Sequence, residues 1–90
     1  VLDYRGETRS LYDEAAVTDL VDALAWAPAE APAEAGEGLS IRAVQPYVIV
    51  TFYPGNLVYY YMDSHWNFWY QGTGETDLYP ALVRLWEGAG

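Results

Sequence analysis

Two hydrophobic periods divide the chain. Between residues 11 and 25, Val17, Leu20, Val21 and Leu24 recur at helical spacing and form one apolar stripe, with Asp19 and Asp22 on the opposite side. Ser10 reads as the N-cap, Asp13 resembles the far end of a capping box, and Glu14 adds negative charge near the positive helix end. The spacing predicts a first helix over about 11–25, with Trp26 near its end. From Leu39 the period becomes two. If Pro54-Gly55-Asn56 and Asp63-Ser64-His65 are both three-residue hairpin loops, Phe52 faces Val58, Val50 faces Tyr60 and Val48 faces Met62. In the next hairpin Met62 then faces Trp66, Tyr60 faces Phe68 and Val58 faces Tyr70. Every pair on that face is apolar or aromatic. A slip of one residue would turn each side chain to the other face, so the agreement has weight.

Upstream, a two-residue turn at Gln45-Pro46 sets Ala43, Ile41 and Leu39 against Val48, Val50 and Phe52. Proline there suggests a type VI turn with a cis bond; a bulge or a bend in one longer strand is the competing reading. The result is a four-stranded antiparallel meander over about 39–44, 47–53, 57–62 and 66–71. Gly72-Thr73-Gly74 ends it. Thr76 or Asp77 then caps a second helix over about 77–87, with Pro80 in the first turn, Leu78, Leu82, Leu85 and Trp86 on its apolar side, and Gly88 as the stop. Val1–Gly6 reads as an extra N-terminal edge strand. Ala27–Gly38, a near-repeat of alanine, proline and glutamate, reads as an extended solvated connector within a single domain spanning 1–90. The class is α+β, with helices on one face of a sheet.

Ten of the fifteen aromatic residues fall between Tyr47 and Tyr70. One face of the predicted sheet takes Tyr60, Trp66, Phe68 and Tyr70 with Val48, Val50 and Phe52, and is assigned to the core. The other carries Tyr47, Ile49, Thr51, Tyr53, Leu57, Tyr59, Tyr61, Asn67, Trp69 and Gln71. Tyr59 lies between Thr51 and Trp69, and Tyr61 between Ile49 and Asn67. Tyrosine and tryptophan offer large contact area with a polar tip, which suits protein interfaces. Three structural readings compete with a binding role: a helix covers this face, the N-terminal strand and connector drape across it, or cross-strand Tyr–Trp pairs simply stabilise an exposed sheet.

Charge narrows the partners. The net charge is −9, and residues 1–38 hold nine acids against two arginines. That half repels nucleic acid and anionic membranes and attracts a basic protein. Lysine is absent. With no cysteine, disulfides and thiol chemistry are excluded. No apolar run has the length of a membrane span and no signal peptide opens the chain, so the cytoplasm is the default expectation. His65 is the only histidine, and Asp63-Ser64-His65 reads as a turn, since triad geometry joins distant segments. A paired-acid site would need Asp3, Glu7 and Asp63 to converge. No phosphate loop, HExxH or GxSxG motif is present. No enzyme activity, cofactor or metal is expected.

In size, acidity and tyrosine content the chain resembles the small acidic immunity proteins of bacterial toxin systems and phage-encoded inhibitors. The likeness carries over no site residue. The expected function is a small acidic protein-binding module of the inhibitor or immunity type. Its partner-binding set is Tyr47, Tyr53, Tyr59, Tyr61 and Trp69 on the sheet, with Asp19 and Asp22 on the helix. The alternatives are a small-ligand binder with an aromatic pocket between sheet and helices, lined by Tyr60, Trp66, Phe68 and Tyr70, and a homodimer joined through the aromatic sheet face.

Overall fold

The computed structural model describes residues 1–10, 14–34, 36–44, 47–74 and 77–89. Among these run seven strands and two helices: β1 (Leu2–Tyr4), β2 (Glu7–Arg9), α1 (Glu14–Asp22), β3 (Ala25–Ala29), β4 (Leu39–Val44), β5 (Tyr47–Tyr53), β6 (Leu57–Asp63), β7 (Trp66–Thr73) and α2 (Leu78–Gly88). The strands form one antiparallel sheet in the order β2-β1-β4-β5-β6-β7-β3. The α+β class and the meander are both present, and the meander is the centre of a wider sheet.

Alternation sets the central register. Leu39, Ile41 and Ala43 oppose Phe52, Val50 and Val48. Phe52 and Val50 oppose Val58 and Tyr60. Val58 and Tyr60 oppose Tyr70 and Phe68. The predicted pairing of Met62 with Trp66 does not form. A bulge between Tyr61 and Asp63 brings Asp63 opposite Trp66 and shortens the loop to Ser64-His65. The Asp63 carboxylate drives this: its Oδ1 accepts from the backbone N–H of His65 at 2.7 Å and of Trp66 at 2.9 Å, closing a tight Asx turn. The Gln45-Pro46 turn, the Leu11–Asp13 start of the first helix and the Thr76 cap lie outside the described residues.

The edges depart from expectation. Residues 1–6 do not make one strand; Arg5 (φ 51°) and Gly6 (φ 76°) form a two-residue turn with both φ positive, so β1 and β2 are a hairpin with Tyr4 opposite Glu7. At the far edge the first helix ends at Asp22 instead of Ala25, and Ala25–Ala29 pairs with β7. The connector assigned to 27–38 therefore begins only after Ala29. Pro28 sits in this strand without penalty because an edge strand has one side unpaired. Trp26 organises the join. It opposes Gly72, where a methyl group would meet its ring at 2.9 Å, and its Nε1–H donates to the Val21 carbonyl at 3.0 Å, satisfying the helix end.

Both helices lie on the face carrying Leu39, Phe52 and Val58. The buried core is Leu2, Tyr4, Leu39, Phe52, Val58, Leu78 and Leu82, with Val17, Leu20, Val21 and Leu24 of α1 packed against it. α2 lies over β1, β4 and β5. Its N-terminus is fastened to the β5–β6 hairpin. Asp77 accepts from the N–H of Tyr79 at 3.1 Å as N-cap and from the N–H of Gly55 at 3.0 Å, and buried Asn56 (φ 61°) accepts from the N–H of Leu78 at 2.7 Å. At the other end Arg9 donates to the carbonyls of Trp86 and Glu87 and stacks 3.9 Å from the Trp86 ring, placing a cation at the negative helix end. The helices do not reach the whole face. Trp66 and Phe68, assigned to the core by alternation, are 59% and 42% exposed.

Substitutions at Asn56 separate cap from backbone. Asn56→Gly keeps the positive φ but leaves the buried Leu78 N–H without its acceptor, and is expected to cost about 1 kcal/mol. Asn56→Ala adds left-handed strain and is expected to cost roughly 2–4 kcal/mol in all, read as urea-unfolding midpoints. Equal losses in the two variants would show that the cap alone matters. Tyr79 supplies a pH signature. Burial, and then the hydrogen bond it donates to the Tyr4 hydroxyl at 3.1 Å, push its pKa up from 10.0 to about 12. The folded state thus favours the protonated phenol. That stability is fully present below the unfolded value and is lost as pH rises through the folded one. Stability measured by urea unfolding is expected to fall between pH 10 and 12 more steeply for the native chain than for Tyr79→Phe. Parallel curves would remove Tyr79 as the cause.

Candidate functional site

The sheet face turned away from the helices carries a continuous aromatic cluster. Its order follows from register. Tyr59 and Trp69 are direct cross-strand partners, and their ring centroids lie 4.7 Å apart. Tyr53 stacks on Trp69 from the other flank at 5.8 Å and 27°. Tyr61, two residues along β6 from Tyr59, adds its ring at 6.3 Å. Two β-strand rules produce this: alternate residues share a face, and opposed side chains lie close enough to touch. Gly38 makes the room, since a methyl there would meet the Tyr53 ring at 2.8 Å.

Polar groups rim the cluster. On one side the Ser40 and Thr51 hydroxyls share a hydrogen bond of 2.8 Å. On the other, Gln71 Nε2 donates to the Gly55 carbonyl at 2.7 Å and Asn67 Nδ2 to the Ser64 carbonyl at 3.1 Å. Beyond β4 the Arg42 guanidinium sits 3.4 Å from the Asp3 carboxylate, and Asp3 also accepts from the Thr8 hydroxyl. Apolar rings framed by polar groups are the anatomy of an interaction patch. No helix among the described residues covers it.

Of the residues expected to bind a partner, Tyr53, Tyr59, Tyr61 and Trp69 come together. Tyr47 opens β5 on the same face by alternation and is 50% exposed, apart from the stack. Asp19 and Asp22 are exposed on α1, whose apolar stripe packs onto the opposite sheet face. The set is thus divided between the two sides of the molecule.

The groups considered for catalysis have separate tasks. Asp63 closes the β6–β7 turn, Asp3 pairs with Arg42, and Glu7 lies 3.4 Å from Arg9. Ser64 and His65 share a 3.2 Å hydrogen bond in that exposed turn. The Arg5 guanidinium, hydrogen-bonded at 2.9 Å, holds the exposed Glu37 carboxyl below its usual range. Among the described residues no three histidine, aspartate or glutamate side chains gather as a metal site, and no helix is long and apolar enough to cross a membrane.

On the helix side a cavity of about 210 Å³ opens between α1 and the sheet, lined by Val21, Trp26, Val50, Phe52, Val58, Tyr60 and Tyr70. Two of the four aromatics expected to line such a pocket do so; Trp66 and Phe68 stand outside it. Trp26 escaped notice because it precedes a run of alanine and proline. The signal that could have found it is a lone tryptophan at the start of an alternating stretch. Comparison with protein-family models, curated proteins and solved structures found no match.

The closeness of Tyr59 and Trp69 is measurable. A double-mutant cycle with Tyr59→Thr and Trp69→Thr is expected to give a coupling of about 0.5–1.5 kcal/mol, the range for ring pairs in contact. A coupling of zero would mean that the rings do not pack in solution.

Proposed function

We propose that this chain is a small acidic protein-binding module, of the inhibitor or immunity type, whose partner sits on the aromatic face of the sheet. The observation that supports this reading is the Tyr53–Trp69–Tyr59–Tyr61 stack on the side of the sheet without a helix. Rings held by one another enter an interface with little rotamer freedom left to lose, so their burial is retained as affinity. Tyrosine hydroxyls and the polar rim supply direction. Asp19 and Asp22 lie on the far side and act at a distance: the net charge of −9 draws a basic partner toward the molecule.

The test compares the native chain with Tyr59→Thr/Tyr61→Thr/Trp69→Thr as bait in the source organism's lysate, with far-UV circular dichroism and sedimentation in parallel. The expected result is a folded triple variant that loses a specific partner retained by the native chain. A global loss of structure in the variant would make these rings core residues. A native chain that sediments at twice its monomer mass, reverting to monomer in the variant, would replace the proposal with a sheet-to-sheet homodimer. Retention of the same partner by the folded variant would move the interface elsewhere.

A further inference from the structure

The cavity on the helix side has a chemistry of its own. Its walls are Val21 and Trp26 from the α1–β3 corner and Val50, Phe52, Val58, Tyr60 and Tyr70 from the sheet. None of these side chains is charged. The Trp26 Nε1–H is already committed to the Val21 carbonyl. The site therefore offers apolar walls and the faces and edges of four aromatic rings. The aromatic lining continues outward. Phe68 opposes Tyr60 and lies 6.4 Å from Tyr70, and Trp66 lies 6.1 Å from Phe68, both exposed.

Size, charge and shape restrict the occupant. An enclosed apolar cavity of about 150 Å³ takes up benzene, so this more open one of about 210 Å³ has room for at least roughly eight or nine non-hydrogen atoms. That is one ring with a short substituent, or two small fused rings. Anions are opposed by the net charge of −9. Cations find no carboxylate in the lining, and an unpaired charge there would lose its hydration without return. Ring faces favour a flat partner, stacked or edge-on. We infer that this cavity is a binding site for a small, uncharged, planar aromatic molecule, separate from the aromatic face across the sheet.

Trp26 gives the site its own reporter, because its indole N–H is one of only four in the chain. The probe is indole, titrated into ¹⁵N-labelled protein, with benzoate and trimethylphenylammonium as anionic and cationic counterparts of similar size. The expected result is a saturable shift of the Trp26 indole signal with indole, at micromolar to millimolar affinity, and far weaker shifts with either ion. Val21→Phe fills the cavity from the helix side and should weaken indole binding roughly tenfold while the spectrum stays dispersed. Tyr60→Phe should keep most of the affinity if the ring is the main contact. The proposal is overturned by any of three outcomes: no saturable shift at Trp26, a shift confined to Trp66, or a folded Val21→Phe variant that binds indole as well as the native chain. Tighter binding of the cation would overturn the ligand class. Should Val21→Phe fail to fold, the Trp26 shift in the native chain still decides.

Discussion

Two short helices among the described residues face a seven-stranded sheet, and the rest of the molecule follows from that mismatch. Six inter-strand spacings make the sheet roughly 29 Å wide. Helices about 10 Å across, laid side by side, span roughly 20 Å at most. Over their described residues, nine and eleven, they are about 14 and 17 Å long. One helix layer on one sheet accounts for the short dimension of 23 Å. One sheet face is therefore left without helices, and part of the other is too. Aromatic residues at β6 and β7 lie where the helices do not reach, and they pack chiefly on each other.

The helices are not held alike. α2 is secured at both ends by groups from the sheet: Asn56 and Asp77 at its start, Arg9 at its finish. Those contacts join it to β2 and the β5–β6 hairpin, so the β1–β4–β5 half of the core is pinned by hydrogen bonds as well as burial. α1 is held by its apolar stripe, and Trp26 bonds to its last turn at the Val21 carbonyl. The cavity opens beside α1, at the corner where Trp26 bonds to the Val21 carbonyl.

The central strands were legible because alternation over four segments put the same apolar side chains on one face, even though the third loop proved one residue shorter than its expected form. The same rule divided the aromatics correctly between faces, which is why Tyr53, Tyr59, Tyr61 and Trp69 could be grouped before any coordinates. It failed where alternation is silent. β3 holds one large residue, Trp26, among alanines and a proline, and an edge strand needs no second apolar face to form. The β1–β2 turn uses Arg5 at positive φ, a position where sequence favours asparagine or glycine. The bulge at Met62 comes from the two amides that Asp63 gathers, a local preference stronger than the pairing it displaced. Nor could face assignment reveal coverage. Alternation put Trp66 and Phe68 on the helix side, but whether a helix extends over them depends on helix length and placement, which no strand pattern encodes.

Charge and contact are separated in this molecule, and the separation bears on which partner fits. The aromatic face is nearly neutral, since Arg42 and Asp3 offset each other and the surrounding residues are uncharged. The excess acid resides in α1, the connector and the termini. A second copy docking face to face would bring together two bodies of net charge −9. Repulsion between them is damped beyond about 8 Å at physiological salt but not removed for flanking acids. A basic partner meets the opposite balance. On the proposed reading it would be drawn in by charge that the interface never has to desolvate, and then be held by ring burial that salt screens little. In that proposal attraction at range and adhesion at contact would rest on different residues, so association speed could be set without placing an unpaired carboxylate inside the interface.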